Sequence, residues 1–328
     1  MLKLNRILVP TDFEVAAKNA YTHADHLVQQ FGGVVDLLHV VPTHKYFHES
    51  MKTVGYPLSL EDDVYPKITQ KARDVIAGDM EQYIDTGHRG EALVKIGPKP
   101  SEIILEIAQK QKSDMIVMGG HNNEPSEMIL GTVTDRVIRR SQIPVLSIPP
   151  DVKADPVNNI VVPTDFSTLS MKGINAAVRF AASLNSGITF LHVLELFGRY
   201  NENDKNNISR DEANDVRKRL FNKIKSYLEE NEEGHCRIES ESSGDVFVFN
   251  DNGSDVKIPV NLEVTRGVSA HYEIVDYANE KADMVVITTH GRSGLAHFFL
   301  GSTTEKVIRW SRKPVLTIRS LVGEKKKV

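Results

Sequence analysis

Hydrophobic positions along the chain fall into short unbroken runs separated by longer stretches of helical spacing. Ile7–Pro10 is an apolar run closed by proline, and Ala16, Ala20 and Ala24 follow at helical intervals. Val34–Val41 is the next strand, and a longer polar segment carries a helix near Pro66–Thr86. Leu93–Gly97 is a third strand, Ser101–Gln111 a helix, and Met115–Met118 a wholly apolar fourth strand. A continuously apolar strand is what a parallel strand covered on both faces requires. A helix over Thr132–Ser141 and a strand beginning at Pro144 complete the series.

The series then repeats, with strands at Ile160, Thr189, Asn261, Met284 and Pro314. Arg6-Ile7-Leu8-Val9-Pro10-Thr11-Asp12-Phe13 is matched by Asn159-Ile160-Val161-Val162-Pro163-Thr164-Asp165-Phe166, and Pro144-Val145-Leu146 by Pro314-Val315-Leu316. Alternating strands and helices in both copies predict an α/β protein of two tandem, doubly wound, five-stranded parallel sheets, Rossmann-like in layout. The expected domains are residues 1–150 and 156–320, joined through a proline-rich polar linker and followed by a basic tail over 321–328. Equivalent residues are 153 apart as far as His39 and His192, and 170 apart from Gly97 and Gly267 onward. The second copy therefore holds 17 extra residues. The run Val246-Phe247-Val248-Phe249-Asn250-Asp251-Asn252-Gly253 marks them as an added β-hairpin.

Composition narrows the class. Of 328 residues, 40% are hydrophobic and 26% charged, as in soluble globular proteins. With 40 basic and 44 acidic residues the net charge is −4, so nothing argues for nucleic acid. A single cysteine, Cys236, excludes an intrachain disulfide and fits a reducing compartment. No run is apolar over membrane-spanning length and no leader pattern opens the chain; a cytoplasmic location and no membrane partner are expected.

Candidate chemistry lies in the loops after strands one and four, where doubly wound sheets take their ligands. In the second copy Thr288-Thr289-His290-Gly291-Arg292-Ser293-Gly294 follows strand four, and Gly301-Ser302-Thr303-Thr304 opens a helix. Glycines admit close backbone approach, and a helix start rich in N–H and hydroxyl donors favours phosphate. The same residues are also ordinary helix-start grammar. Asp165 reads equally as an Asx-turn residue or as a carboxylate for a ribose, and His192 as a strand histidine with a satisfied partner. His44 and His48 stand at a metal-compatible spacing without a third ligand, so no metal site is expected. In the first copy the loop Gly119-Gly120-His121-Asn122-Asn123-Glu124-Pro125-Ser126 is one residue shorter, has asparagine for glycine, and gains a carboxylate and a proline. Its site is expected to be degenerate for nucleotide.

Val-Pro-Thr-Asp-Phe after the first strand, Thr-His-Gly-Arg-Ser-Gly-Leu after the fourth, Gly-Ser at the last helix and Pro-Val-Leu in the last strand together resemble the universal stress protein family. The resemblance covers both halves, so the chain resembles a tandem, UspA-like member of adenine nucleotide alpha hydrolase-like fold. One branch of that family binds ATP through Gly-x2-Gly-x9-Gly-Ser/Thr. Here Thr288 takes the first glycine position, while Gly291, Gly301 and Ser302 match. The resemblance implies a second-domain site for an adenine nucleotide, ATP with or without Mg2+. It draws on Pro163, Thr164 and Asp165 at strand one, Val193 beside the adenine, and Ile287, Thr288, His290, Gly291, Arg292, Gly294, Gly301, Ser302, Thr303 and Thr304 around the phosphates. It also implies pairing of the two domains through their last strands; a homodimer stays open. No catalytic residues are assigned, and at most slow ATP hydrolysis is expected. The alternatives are a nucleotide-independent interaction protein of this fold, or a hydrolase of another small ligand.

Overall fold

A computed structural model describes residues 4–43, 65–120, 132–196, 210–231, 236–241, 244–251, 253–289 and 300–319. The chain divides between Ala154 and Asp155 into two compact units, each with its own core.

In the first domain the elements are β1 (Arg6–Thr11), α1 (Val15–Phe31), β2 (Val34–Pro42), α2 (Tyr65–Tyr83), β3 (Arg89–Gly97), α3 (Pro100–Lys110), β4 (Met115–Gly119), α4 (Thr132–Arg140) and β5 (Val145–Ile148). The strands pair in parallel in the order β3-β2-β1-β4-β5. The order reverses beside β1, which opens a crevice at the carboxyl ends of β1 and β4. Ile7, Leu8, Met115 and Ile116 have no exposed surface, as expected of strands covered on both faces. Helix α1 buries Ala17, Ala20, Tyr21, Ala24 and Val28 as one stripe and ends at Gly32, whose N–H bonds Val28 O at 2.8 Å. Gly33 follows at φ +103, and a Cβ there would stand 2.0 Å from Leu4 O, so only glycine makes this tight entry into β2.

The second domain contains β6 (Asn159–Pro163), α5 (Thr168–Leu184), β7 (Gly187–Glu195), α6 (Arg210–Asn231), β8 (Cys236–Glu241), β9 (Gly244–Asp251), β10 (Ser254–Gly267), α7 (Ala270–Lys281), β11 (Met284–Thr288), α8 (Ser302–Trp310) and β12 (Val315–Ile318). Five strands repeat the parallel order as β10-β7-β6-β11-β12. Ser167 caps α5 by accepting Ser170 N at 3.1 Å, and Asn185 ends it in the left-handed conformation.

The added segment is larger than one hairpin. β8 and β9 pair antiparallel, and β9 pairs antiparallel with the first half of a 14-residue β10. Two whole strands thus extend the sheet edge, and the third strand is lengthened to receive them. Val246–Phe249 is buried throughout, and on the face that alternate residues share, Phe247 packs against Phe190 with ring centroids 5.8 Å apart and Phe249 lies under Arg179 at 5.7 Å. The sequence marked the Val246–Phe249 run and its turn at Gly253 as a hairpin but not β8, whose strand character the polar residues Arg237, Glu239 and Ser240 hide.

Candidate functional site in the second domain

The loop after β6 is held in a strained shape by its neighbours. Phe166 adopts φ 63, a left-handed conformation that bulky side chains avoid. Thr164 Oγ1 accepts Phe166 N at 3.3 Å and lies 3.1 Å from Ser170 Oγ, while Asp165 Oδ1 accepts Ser167 N at 2.9 Å. From the adjacent strand, His192 Nδ1 meets Thr164 O at 2.8 Å, and its ring packs edge-on to Phe166 at 4.4 Å. Asp165 is therefore an Asx-turn residue, and one face of His192 is committed to the loop, the structural role its position in β7 suggests. An over-determined backbone of this kind holds the Asp165 carboxylate in one place.

On the other side of the crevice, Gly301 N donates to Thr289 O at 2.8 Å and Thr304 Oγ1 donates to Thr288 O at 2.9 Å, fastening the start of α8 to the end of β11. Gly301 is the N-cap and has no side chain, and among the described residues no side-chain oxygen caps the helix. Glu305, the acidic residue of that turn, is bonded to Arg309 at 3.1 Å. What remains is an open helix start whose dipole favours an anion. Thr288 is buried, and its Cγ2 would lie 3.2 Å from a Cβ at Gly173. The extra bulk at the first glycine position is thus received by a glycine of α5.

These elements border one cleft of about 720 Å³. Of the residues singled out from sequence, Pro163, Thr164, Asp165, Val193, Ile287, Thr288, Gly301, Ser302, Thr303 and Thr304 all line it. His290, Gly291, Arg292 and Gly294 lie outside the described residues, as do His44 and His48. Sequence reasoning missed Glu195, Glu212 and Arg266, which line the end of the cleft beside β7 and β10. Glu195 Oε1 accepts Ala270 N at 2.9 Å, and Arg266 Nη2 bridges Glu212 at 3.0 and 3.1 Å. Their signal was weak because Glu212 stands 54 residues from its partner. The cleft is therefore polarised, with hydroxyls and a helix start at the α8 end, and the Glu195 carboxylate with the Glu212–Arg266 ion pair at the other.

The first domain has the same loop by different means. Phe13 also has φ 70, Thr11 Oγ1 accepts Phe13 N at 2.9 Å, Asp12 Oδ1 accepts Glu14 N at 3.1 Å, and His39 Nδ1 meets Thr11 O at 2.8 Å. Burial pushes the His39 pKa down, against the smaller raising effects of the Thr11 carbonyl and Asp12. Here Tyr21 OH bonds Thr11 Oγ1 and, at 3.2 Å, Asp79 of α2. Burial, the dominant cause, pushes the Tyr21 pKa up. Asp25, Asp85 and His88 have ligand-type atoms within 4.8 Å of one another, but Asp25 Oδ1 is engaged by Asp85 N at 3.1 Å and His88 Nδ1 at 3.2 Å. That group reads as a clasp between α1 and the turn before β3.

Comparison with known proteins agrees with this layout. A universal stress protein of Methanocaldococcus jannaschii is 30% identical over 152 residues, 44% of this chain and 93% of that protein. YxiE of Bacillus subtilis, also a universal stress protein, is 30% identical over 165 residues, 49% of this chain and 99% of its own length. The crystal structure of a universal stress protein from Archaeoglobus fulgidus matches at TM-score 0.65 and 20% identity, covering 97% of this chain and 99% of that one, a likeness of fold. The model of the universal stress protein family matches twice, over residues 3–149 and 156–319, and the chain belongs to that family.

Proposed function

We propose that the second domain binds an adenine nucleotide, ATP, and that the protein is a cytoplasmic stress-response module whose signal is the occupancy of that site. The observation that carries this reading is the start of α8, where a side-chain-free cap leaves helix donors open beside the Ser302 and Thr303 hydroxyls, in the same cleft as Asp165. The polarity of the cleft suits a nucleotide lying one way, with phosphates at α8, ribose at Asp165 and base toward Val193 and Glu195. Gly291, Arg292, His290 and Gly294 complete the phosphate loop by family resemblance. If Mg2+ accompanies the phosphates, the Ser302 and Thr303 hydroxyls are the neutral oxygen donors this helix start offers. The role is binding rather than turnover: among the described residues of the cleft, His192 Nδ1 is tied to a backbone carbonyl and Asp165 to a backbone N–H.

Mass analysis of ligand released from freshly purified protein, with equilibrium binding of ATP, tests the reading. Gly301→Val should weaken binding roughly thirtyfold or more, the worth of about one charge-assisted hydrogen bond. Equal, weak binding by both proteins would instead favour a nucleotide-independent interaction protein. The family resemblance also implies that the two domains pair through their last strands; this is part of the proposal, tested by cross-linking between the segments around Ser147 and Thr317.

A further inference from the structure

The end of the second-domain cleft away from α8 is built from the ends of β7 and β10 and the start of α7. The two strands run parallel, with Glu195 level with Gly267 and Leu194 level with Arg266. Val193, Leu194, Leu196 and Ile274 line this end with apolar surface, suited to the faces of a flat ring. The carboxylates and guanidinium of the lining are Asp165, Glu195, Glu212 and Arg266. Asp165 belongs to the β6 loop, and Glu212 and Arg266 are joined to each other. Glu273, a further carboxylate, stands against Gly267 and is not part of the lining.

Glu195 differs from these groups in having one oxygen to spare. Its Oε1 accepts Ala270 N, at the start of α7, at 2.9 Å, which fixes the carboxylate. Among the described residues Oε2 has no hydrogen-bond partner, and no cation forms an ion pair with the side chain. His271, whose charge Glu195 would favour, is kept neutral at neutral pH by burial and by Lys306. A single acceptor beside an apolar ring slot complements a ring edge that carries one N–H donor. The exocyclic amine of adenine is such a donor. Guanine offers two adjacent donors and asks for both carboxylate oxygens, and an oxo group set against Oε2 brings two acceptors together.

The first domain supplies the contrast. There Pro42, level with Gly97, holds the place that Glu195, level with Gly267, holds in the second. Its cleft of about 610 Å³ is lined by Pro42 and by Ile68, Ala72 and Val75 of α2, with no side-chain acceptor at that place.

We propose that Glu195 selects the base: its Oε2 accepts the exocyclic amine of adenine, so the cleft takes amino-purine nucleotides and rejects their oxo counterparts. The inference rests on the nucleotide reading of this cleft and adds to it the residue that sets specificity.

The test is equilibrium titration of the full chain with ATP, with purine riboside triphosphate, which lacks the amine, and with ITP, which carries oxygen in its place. Wild type should bind purine riboside triphosphate about tenfold more weakly than ATP, the worth of one hydrogen bond to a charged acceptor, and ITP more weakly still. Glu195→Gln keeps an oxygen for Ala270 N and turns its NH2 toward the base, so the order should invert, with ITP ahead of ATP. A residue that only capped α7 would lose affinity for all three alike. Val75→Asp, in the first-domain cleft at a position 37% exposed, should leave the three affinities as in wild type. Equal affinity of wild type for ATP and ITP would overturn the proposal, and so would a Glu195→Gln variant that still prefers ATP. The wild-type comparison decides even where the variant folds poorly. If Gly301→Val weakens ATP and ITP while wild type binds them equally, the nucleotide reading stands and only the base selection falls. Absence of binding by all three would remove both.

Discussion

The two domains share a frame and differ in what fills it. Both hold a phenylalanine in the left-handed region behind a Thr-Asp pair, and both brace it with a histidine from the neighbouring strand. Around that common loop the first domain places Tyr21, Asp79 and an apolar face of α2, whereas the second places Ser170, Glu195 and the Glu212–Arg266 pair. A bracing network tolerates duplication because it depends only on backbone and nearest neighbours. A recognition surface depends on side chains from distant segments, and those diverged.

The same contrast runs beneath the sheets. In the first domain buried Asp36 receives Arg6 Nη1 at 2.9 and 2.7 Å and Glu91 N at 2.7 Å, across a register irregularity in β2–β3. The equivalent place in the second is neutral, with Thr189 Oγ1 donating to Asn159 Oδ1 at 3.0 Å. Asp36→Ala strands a guanidinium and a backbone donor, and should cost the first domain about 3 kcal/mol. Thr189→Val should cost the second about 1 kcal/mol. Domain-resolved hydrogen exchange measures both; equal losses would break the contrast between a charged and a neutral clasp.

A smaller effect concerns the bracing histidine of the first domain. Because the folded-state pKa of His39 is depressed, its contribution to stability is present above the ordinary value near 6.5 and is lost as pH falls below it. Protection of the first domain should therefore decline between pH 7 and pH 5, and His39→Gln should flatten that decline. An unchanged slope in the variant would assign the acid sensitivity elsewhere.

The smallest expected effect concerns Thr288. Its methyl packs toward Gly173 in α5, so Thr288→Gly should alter ATP affinity by less than about threefold while leaving a small void against the helix. Gly173→Ala should be tolerated better in that background than alone. A large gain in affinity from Thr288→Gly would mean that the threonine obstructs the phosphate loop.

The alternation of strands and helices, the two domains and most of the cleft were legible in the sequence because the repeat doubled every signal. Apolar runs marked the parallel strands, and the Val-Pro-Thr-Asp-Phe and Gly-Ser-Thr-Thr segments marked both lips of the crevice. Three things were hidden. β8 carries too many polar residues to read as a strand, since its Arg237 is balanced by Glu239 at 2.8 Å and Asp255 at 2.7 Å only once folded. Glu212 and Arg266 meet across 54 residues, a pairing no local pattern announces. The apolar stripe of α2 reads as core, and folding alone shows that part of it faces a cleft.

The central claim, one nucleotide site in one of two similar domains, is tested most directly by the stoichiometry of ATP binding to the full chain by calorimetry. One site per chain, lost in Gly301→Val and retained in Val75→Asp, is the predicted result. Two equivalent sites, or binding that survives Gly301→Val and disappears in Val75→Asp, would contradict it.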